Sequence, residues 1–113
     1  MVGGDGLYAK HKEMLQINSA LEAHMTRSGI KDRFVGHLAR QLIVSSNIIA
    51  TQCLETQRYA WALKVLKPAL RVLDMRELQL NERANLEALT NKNLGDLRAS
   101  IGVDSNGKWT GGS

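Results

Sequence analysis

The sequence predicts an all-α fold: a compact bundle of about four helices, with a long central second helix, a kinked third helix and a tendency to self-associate. Three observations predict it. Helix formers such as Leu, Ala, Glu, Lys, Gln and Arg dominate, against two Trp, two Tyr, one Phe and one Pro. Apolar residues recur at spacings of three and four, the period of a helix with one buried face. No alternating apolar–polar run is long enough to build a sheet. At 113 residues and 43% hydrophobic, the chain is one domain's worth, and oligomerisation would add to a modest core.

The elements follow in order. Residues 1–6 read as a flexible leader, 7–103 as a single helical domain and 104–113 as a flexible Gly-rich tail carrying Trp109. The first helix is expected from about Leu7 to Thr26, with Met14, Ile17, Leu21 and Met25 on one face and Gly29 as its C-terminal cap. The second is expected from about Lys31 to Glu55, striped by Val35, Leu38, Leu42 and Ile49. Between Leu42 and Ala50 its apolar residues point nearly all round, so it belongs at the centre of the fold or at a subunit interface. The third opens near Arg58, and Pro68 predicts a kink or break in it. The fourth covers roughly Leu78 to Ile101, where Leu86, Leu89, Leu97 and Ile101 roughly keep helical spacing. "TNKNLG" weakens its middle, and Arg98, Gly102 and Val103 form its stop.

Several classes of function are disfavoured. The opening "MVGGDGLYAKHKEMLQ" has no apolar signal core, and "LIVSSNIIA" is too short and too polar to span a bilayer. With Cys53 alone, no internal disulfide forms, so a soluble protein in a reducing, cytoplasmic compartment is expected. His11, His24 and His37 fall at thirteen-residue intervals across a helix break, which is not metal-ligand spacing. Cys53 ends an apolar helix and reads as a small hydrophobic filler, while Glu82 and Glu87 do not share a helix face. The sequence thus predicts neither an enzyme nor a cofactor.

Charge supplies the functional signal. The net charge is +4, and residues 58–76 hold five of the fifteen Lys and Arg but one of the eleven acids. On a helical wheel Lys64, Lys67 and Arg71 share one face, opposite the apolar one. A merely solvated outer face would also place charge there, but such faces interleave both signs. Arg33, His37 and Arg40 form a second basic face on helix two. If the two faces align they make a phosphate-binding surface that positions nucleic acid without reading bases. Trp61, Val65 and Val72 form a second apolar strip on helix three. With Ile43, Val44 and Ile48 of helix two they predict a partner or oligomer interface, unless the bundle covers both faces internally.

Two stretches add a resemblance. "CLETQRYAWALKVLKPAL" and "LTNKNLGDLRASIGV" resemble the helical hairpin and closing segment of phage small terminase subunits, the DNA-packaging adaptors. Cys53, Leu54, Glu55, Tyr59 and Ala60 match the first pattern, and Leu94, Leu97, Gly102 and Val103 the second. The resemblance covers about half the chain. It implies a ring-shaped oligomer in a phage-infected host cell that binds duplex DNA and hands it to a large ATPase–nuclease subunit. Those proteins usually carry an N-terminal helix-turn-helix, whereas residues 7–40 offer two long helices around a Gly-containing break, so recognition would fall to the basic faces. The alternative from another class is a phage-encoded protein–protein interaction module, an inhibitor or assembly factor, whose basic stripe meets an acidic partner and whose anchor is Trp61 or Trp109.

Overall fold

The computed structural model describes residues 6–101. Residues 1–5 and 102–113, which hold nearly all of the expected leader, the Gly102–Val103 stop and the tail with Trp109, lie outside the described residues. The described chain is all-helical: α1 (Leu7–Ser28), α2 (Arg33–Glu55), α3 (Tyr59–Leu73) and α4 (Arg83–Ser100).

Local chemistry sets the boundaries. Gly29 ends α1 at φ 95°, a backbone region that favours glycine, and its N–H donates to the Met25 carbonyl. The Asp32 carboxylate caps α2 by accepting the Phe34 N–H at 2.7 Å. At the other end of α2 the Arg58 N–H donates to the Cys53 carbonyl and the Gln57 N–H to the Leu54 carbonyl, while Gln57 takes the left-handed conformation at φ 61°. That is the Schellman closure, built here on Gln rather than Gly.

The helices run alternately up and down. Met14 meets Ser46 and Lys10 meets Gln52, while His24 lies against Asp32, so α1 and α2 are antiparallel along their length. They form a long hairpin rather than a compact helix-turn-helix. Trp61 reaches His11 and Arg71 reaches Glu22, which sets α3 parallel to α1. Arg40 meets Glu82 and Asn47 meets Asn93, which sets α4 parallel to α2.

α2 packs against all three other helices and is the centre of the fold. Its broad apolar stretch has this cause: Leu42 and Ile49 are buried on one side, and Ile43 and Ala50 on another about 100° round the helix. Ala62, Val65, Leu66, Ala69, Val72 and Leu73 of α3 are buried as well, and at 100° per residue they span one arc about 120° wide. What reads in the sequence as two apolar strips is therefore largely the two sides of one arc. α3 packs on both α2 and α4, and that pairing closes over it.

Two elements differ from expectation. α3 continues through Pro68 without a break. α4 starts at Arg83 rather than near Leu78, and it is not split at "TNKNLG". Residues 74–82 instead form a connector that buries Leu78 and lays the Gln79 backbone directly on Gly36 of α2, where a Cβ would overlap the Gln79 carbonyl oxygen. Arg83 holds the connector in place: its guanidinium donates to the carbonyls of Leu73, Met75 and Leu78 at 2.8–3.0 Å. The middle of α4 survives because Thr90 and Asn93 point inward. Asn47 Nδ2 donates to Thr90 Oγ1 and to the Ile43 carbonyl, and Asn93 Nδ2 donates to Asn47 Oδ1. No buried side-chain nitrogen or oxygen among the described residues lacks a partner.

Candidate nucleic-acid interface

Lys64 and Lys67 stand on the outer face of α3, opposite its buried arc, and both are exposed. Among the described residues no carboxylate lies within ion-pair distance of either. Arg71 differs. Its guanidinium donates to Glu22 Oε2 at 2.8 Å and to Asn18 Oδ1 at 3.0 Å, so it ties α3 to α1 and its charge is matched. The local scarcity of acids around residue 71 says nothing about a glutamate 49 residues earlier in the chain.

Beside Lys64 lies a groove of about 350 Å³ between α1 and α3, lined by Tyr8, His11, Ala60, Trp61 and Lys64. Helix periodicity puts Tyr8 and His11 one turn apart on α1, and Trp61 and Lys64 one turn apart on α3. Tyr8 is 72% exposed, and its ring centre is 5.0 Å from that of Trp61. The Arg58 guanidinium lies over the indole at 5.6 Å, within cation–π range. Trp61 Nε1–H donates to His11 Nδ1 at 2.9 Å, which fixes the indole's orientation and requires that ring nitrogen to be unprotonated. Burial, and then the charge of Lys64, hold the His11 imidazole below its ordinary pKa. The groove thus presents oriented aromatic rings between two cations.

The second basic face sits elsewhere. Arg33, His37 and Arg40 line a groove of about 440 Å³ between the first half of α2 and the connector, together with Phe34, Gln79 and Asn81. Its floor is Gly36, pressed against the Gln79 backbone. Arg40 donates to Glu82 Oε1 at 3.1 Å, while Arg33 and His37 are exposed. Lys64 of the α3 face and the Arg33, His37 and Arg40 face of α2 line two different grooves. Phe34, which sequence reasoning passed over, is 49% exposed here, with its ring centre 4.8 Å from His24 and 6.0 Å from His37. The signal was available in "DRFVGHLAR": an aromatic residue one after Arg33, three before His37 and six before Arg40 along a helix.

The expected interface residues divide sharply. Val65, Val72 and Ile43 are fully buried inside the single chain, so they have no surface to offer a partner. Trp61 and Val44 are half-buried, and Ile48 is 49% exposed beside Lys10, Glu13 and Ser45. The part of the apolar surplus made by Val65, Val72 and Ile43 is covered from within. Cys53 is buried in the core. His24 and His37 each lie against the Phe34 ring. Among the described residues no three His, Cys, Asp or Glu side chains gather as a metal site, and no helix is long and apolar enough to cross a membrane. The sequence matches no protein-family model, and neither curated proteins nor solved structures give a match.

Proposed function

We propose that the protein binds nucleic acid through the outer face of α3 and the Trp61 groove beside it. The observation that carries this reading is the pair Lys64 and Lys67, one turn apart, exposed and without a carboxylate partner among the described residues, at the edge of a groove walled by Tyr8 and Trp61. Unpaired cations attract phosphates and release their counterions, and an exposed aromatic face suits a base or sugar. Lysines act as point charges rather than base-edge readers, so binding is sequence-tolerant. The test compares fluorescence-anisotropy titrations of duplex DNA, single-stranded DNA and RNA at two salt concentrations, before and after Lys64→Glu with Lys67→Glu. The double variant should lose affinity while keeping its helicity. On duplex DNA its salt dependence should flatten by roughly 0.9 per lysine removed. Unchanged affinity and slope would remove the reading.

The resemblance of the segments around Cys53–Leu70 and Leu89–Val103 extends this to a DNA-packaging adaptor: a homo-oligomer on duplex DNA that serves a large ATPase–nuclease subunit. Since Val65, Val72 and Ile43 are enclosed, assembly would rest on other surfaces. Light scattering on the same sample tests it. A monomeric mass removes the adaptor reading and leaves nucleic-acid binding standing.

A further inference from the structure

The groove between α2 and the connector has the composition of a nucleotide site. We infer that it binds a nucleoside phosphate, with the base against Phe34 and the phosphate between Arg33 and Arg40. Its volume of about 440 Å³ falls in the usual range of small-molecule clefts. The arrangement is preformed: with no side chain on Gly36, the Gln79 backbone rests on α2, and Arg83 clamps the connector through three carbonyls. The exposed Phe34 ring lies within 25° of the His37 plane, which leaves a flat platform for a base to stack on. Gln79 and Asn81 bring carboxamides, which both donate and accept, to the same groove. Two guanidiniums face a single carboxylate there, that of Glu82 on Arg40, and Arg33 has no ion-pair partner among the described residues.

Glu82 sharpens the inference. It precedes α4 in the left-handed conformation at φ 59°, makes no side-chain cap bond, and turns its carboxylate to Arg40. It occupies the position a phosphate oxygen would take, so ligand and Glu82 compete for one guanidinium.

The experiment titrates the whole chain with adenosine monophosphate, adenosine, inorganic phosphate, and a short oligonucleotide with and without a 5′-phosphate, followed by amide NMR shifts. Saturable shifts at residues 33–40 and 79–82 with adenosine monophosphate are expected. Arg33→Gln and Phe34→Ala should each weaken binding about tenfold, the scale of one charged hydrogen bond or one stacked base. Glu82→Gln should tighten it about threefold, the scale of one exposed ion pair. Binding of the phosphorylated oligonucleotide as strong as that of the free nucleotide assigns the site to a strand end, and binding of the mononucleotide alone assigns it to a free metabolite. Each of those outcomes supports a nucleoside phosphate. Inorganic phosphate binding as tightly as the nucleotide, no saturation at millimolar ligand, or weaker binding by Glu82→Gln would overturn it. The Lys64→Glu, Lys67→Glu variant should keep this binding, so the site and the α3 reading fail independently.

Discussion

Replacing Asn47 by Ala tests how α4 is held on α2. The Asn47 carboxamide is 2% exposed and bonds through both its ends: both Nδ2 hydrogens are donated, to the Ile43 carbonyl and Thr90 Oγ1, and Oδ1 accepts from Asn93 Nδ2. Truncation leaves the Asn93 amide, itself 4% exposed, without this acceptor. An orphaned buried donor costs about 1–3 kcal/mol, and the small cavity adds about 1 kcal/mol. Thr90 loses less, because its hydroxyl still donates to the Leu86 carbonyl at 2.8 Å. Alanine returns about 0.6 kcal/mol of helix propensity. The net loss is about 2–3 kcal/mol, or roughly 8–12 °C in melting temperature for a domain of this size. Thermal and urea unfolding followed by circular dichroism measures it. Asn93→Ala should cost a similar amount, and the double variant should cost less than the sum by about 1–2 kcal/mol, because it removes both ends of one bond. Additive costs, each under about 1 kcal/mol, would refute the claim that this network sets the α2–α4 register.

Two further outcomes follow from the same structure. Gly36→Ala places a methyl group against the Gln79 carbonyl. It should destabilise the protein by about 2 kcal/mol and loosen the connector, seen as faster amide exchange over residues 74–82. For His11 the folded pKa lies below the ordinary 6.5, so the unfolded chain takes up its proton first as pH falls. The stability tied to neutral His11 is full above about pH 6.5 and is lost as pH falls through the lowered folded value. Melting curves across that window, with the Trp61 indole N–H resonance reporting the bond to His11, should show this loss, and His11→Asn should flatten it.

Periodicity alone placed α1 and α2 within a few residues of their ends, because caps and apolar stripes are local features. It also placed α2 at the centre of the fold or at a subunit interface, and the structure puts it at the centre, packed on the three other helices. The start of α4 was hidden because Leu78 is apolar and helix-compatible, yet it is buried by a connector whose path depends on a bare Gly36. Thr90 and Asn93 weakened the sequence pattern for the very reason that they are buried: their partner, Asn47, is more than forty residues away.

The sequence by itself determined the helices, their apolar faces and the surplus of positive charge on α3, since each depends on residues within a turn or two of one another. Tertiary structure decided which charges remain free. Arg71 and Arg40 meet glutamates from distant segments, while Lys64 and Lys67 meet no carboxylate among the described residues. It also closed Val65 and Val72 inside the chain and brought Phe34, Arg33 and the connector amides around one groove. Ion pairing, burial and cavity shape depend on which distant segments the packing brings within a few ångströms of one another, and a one-dimensional pattern carries no record of that distance.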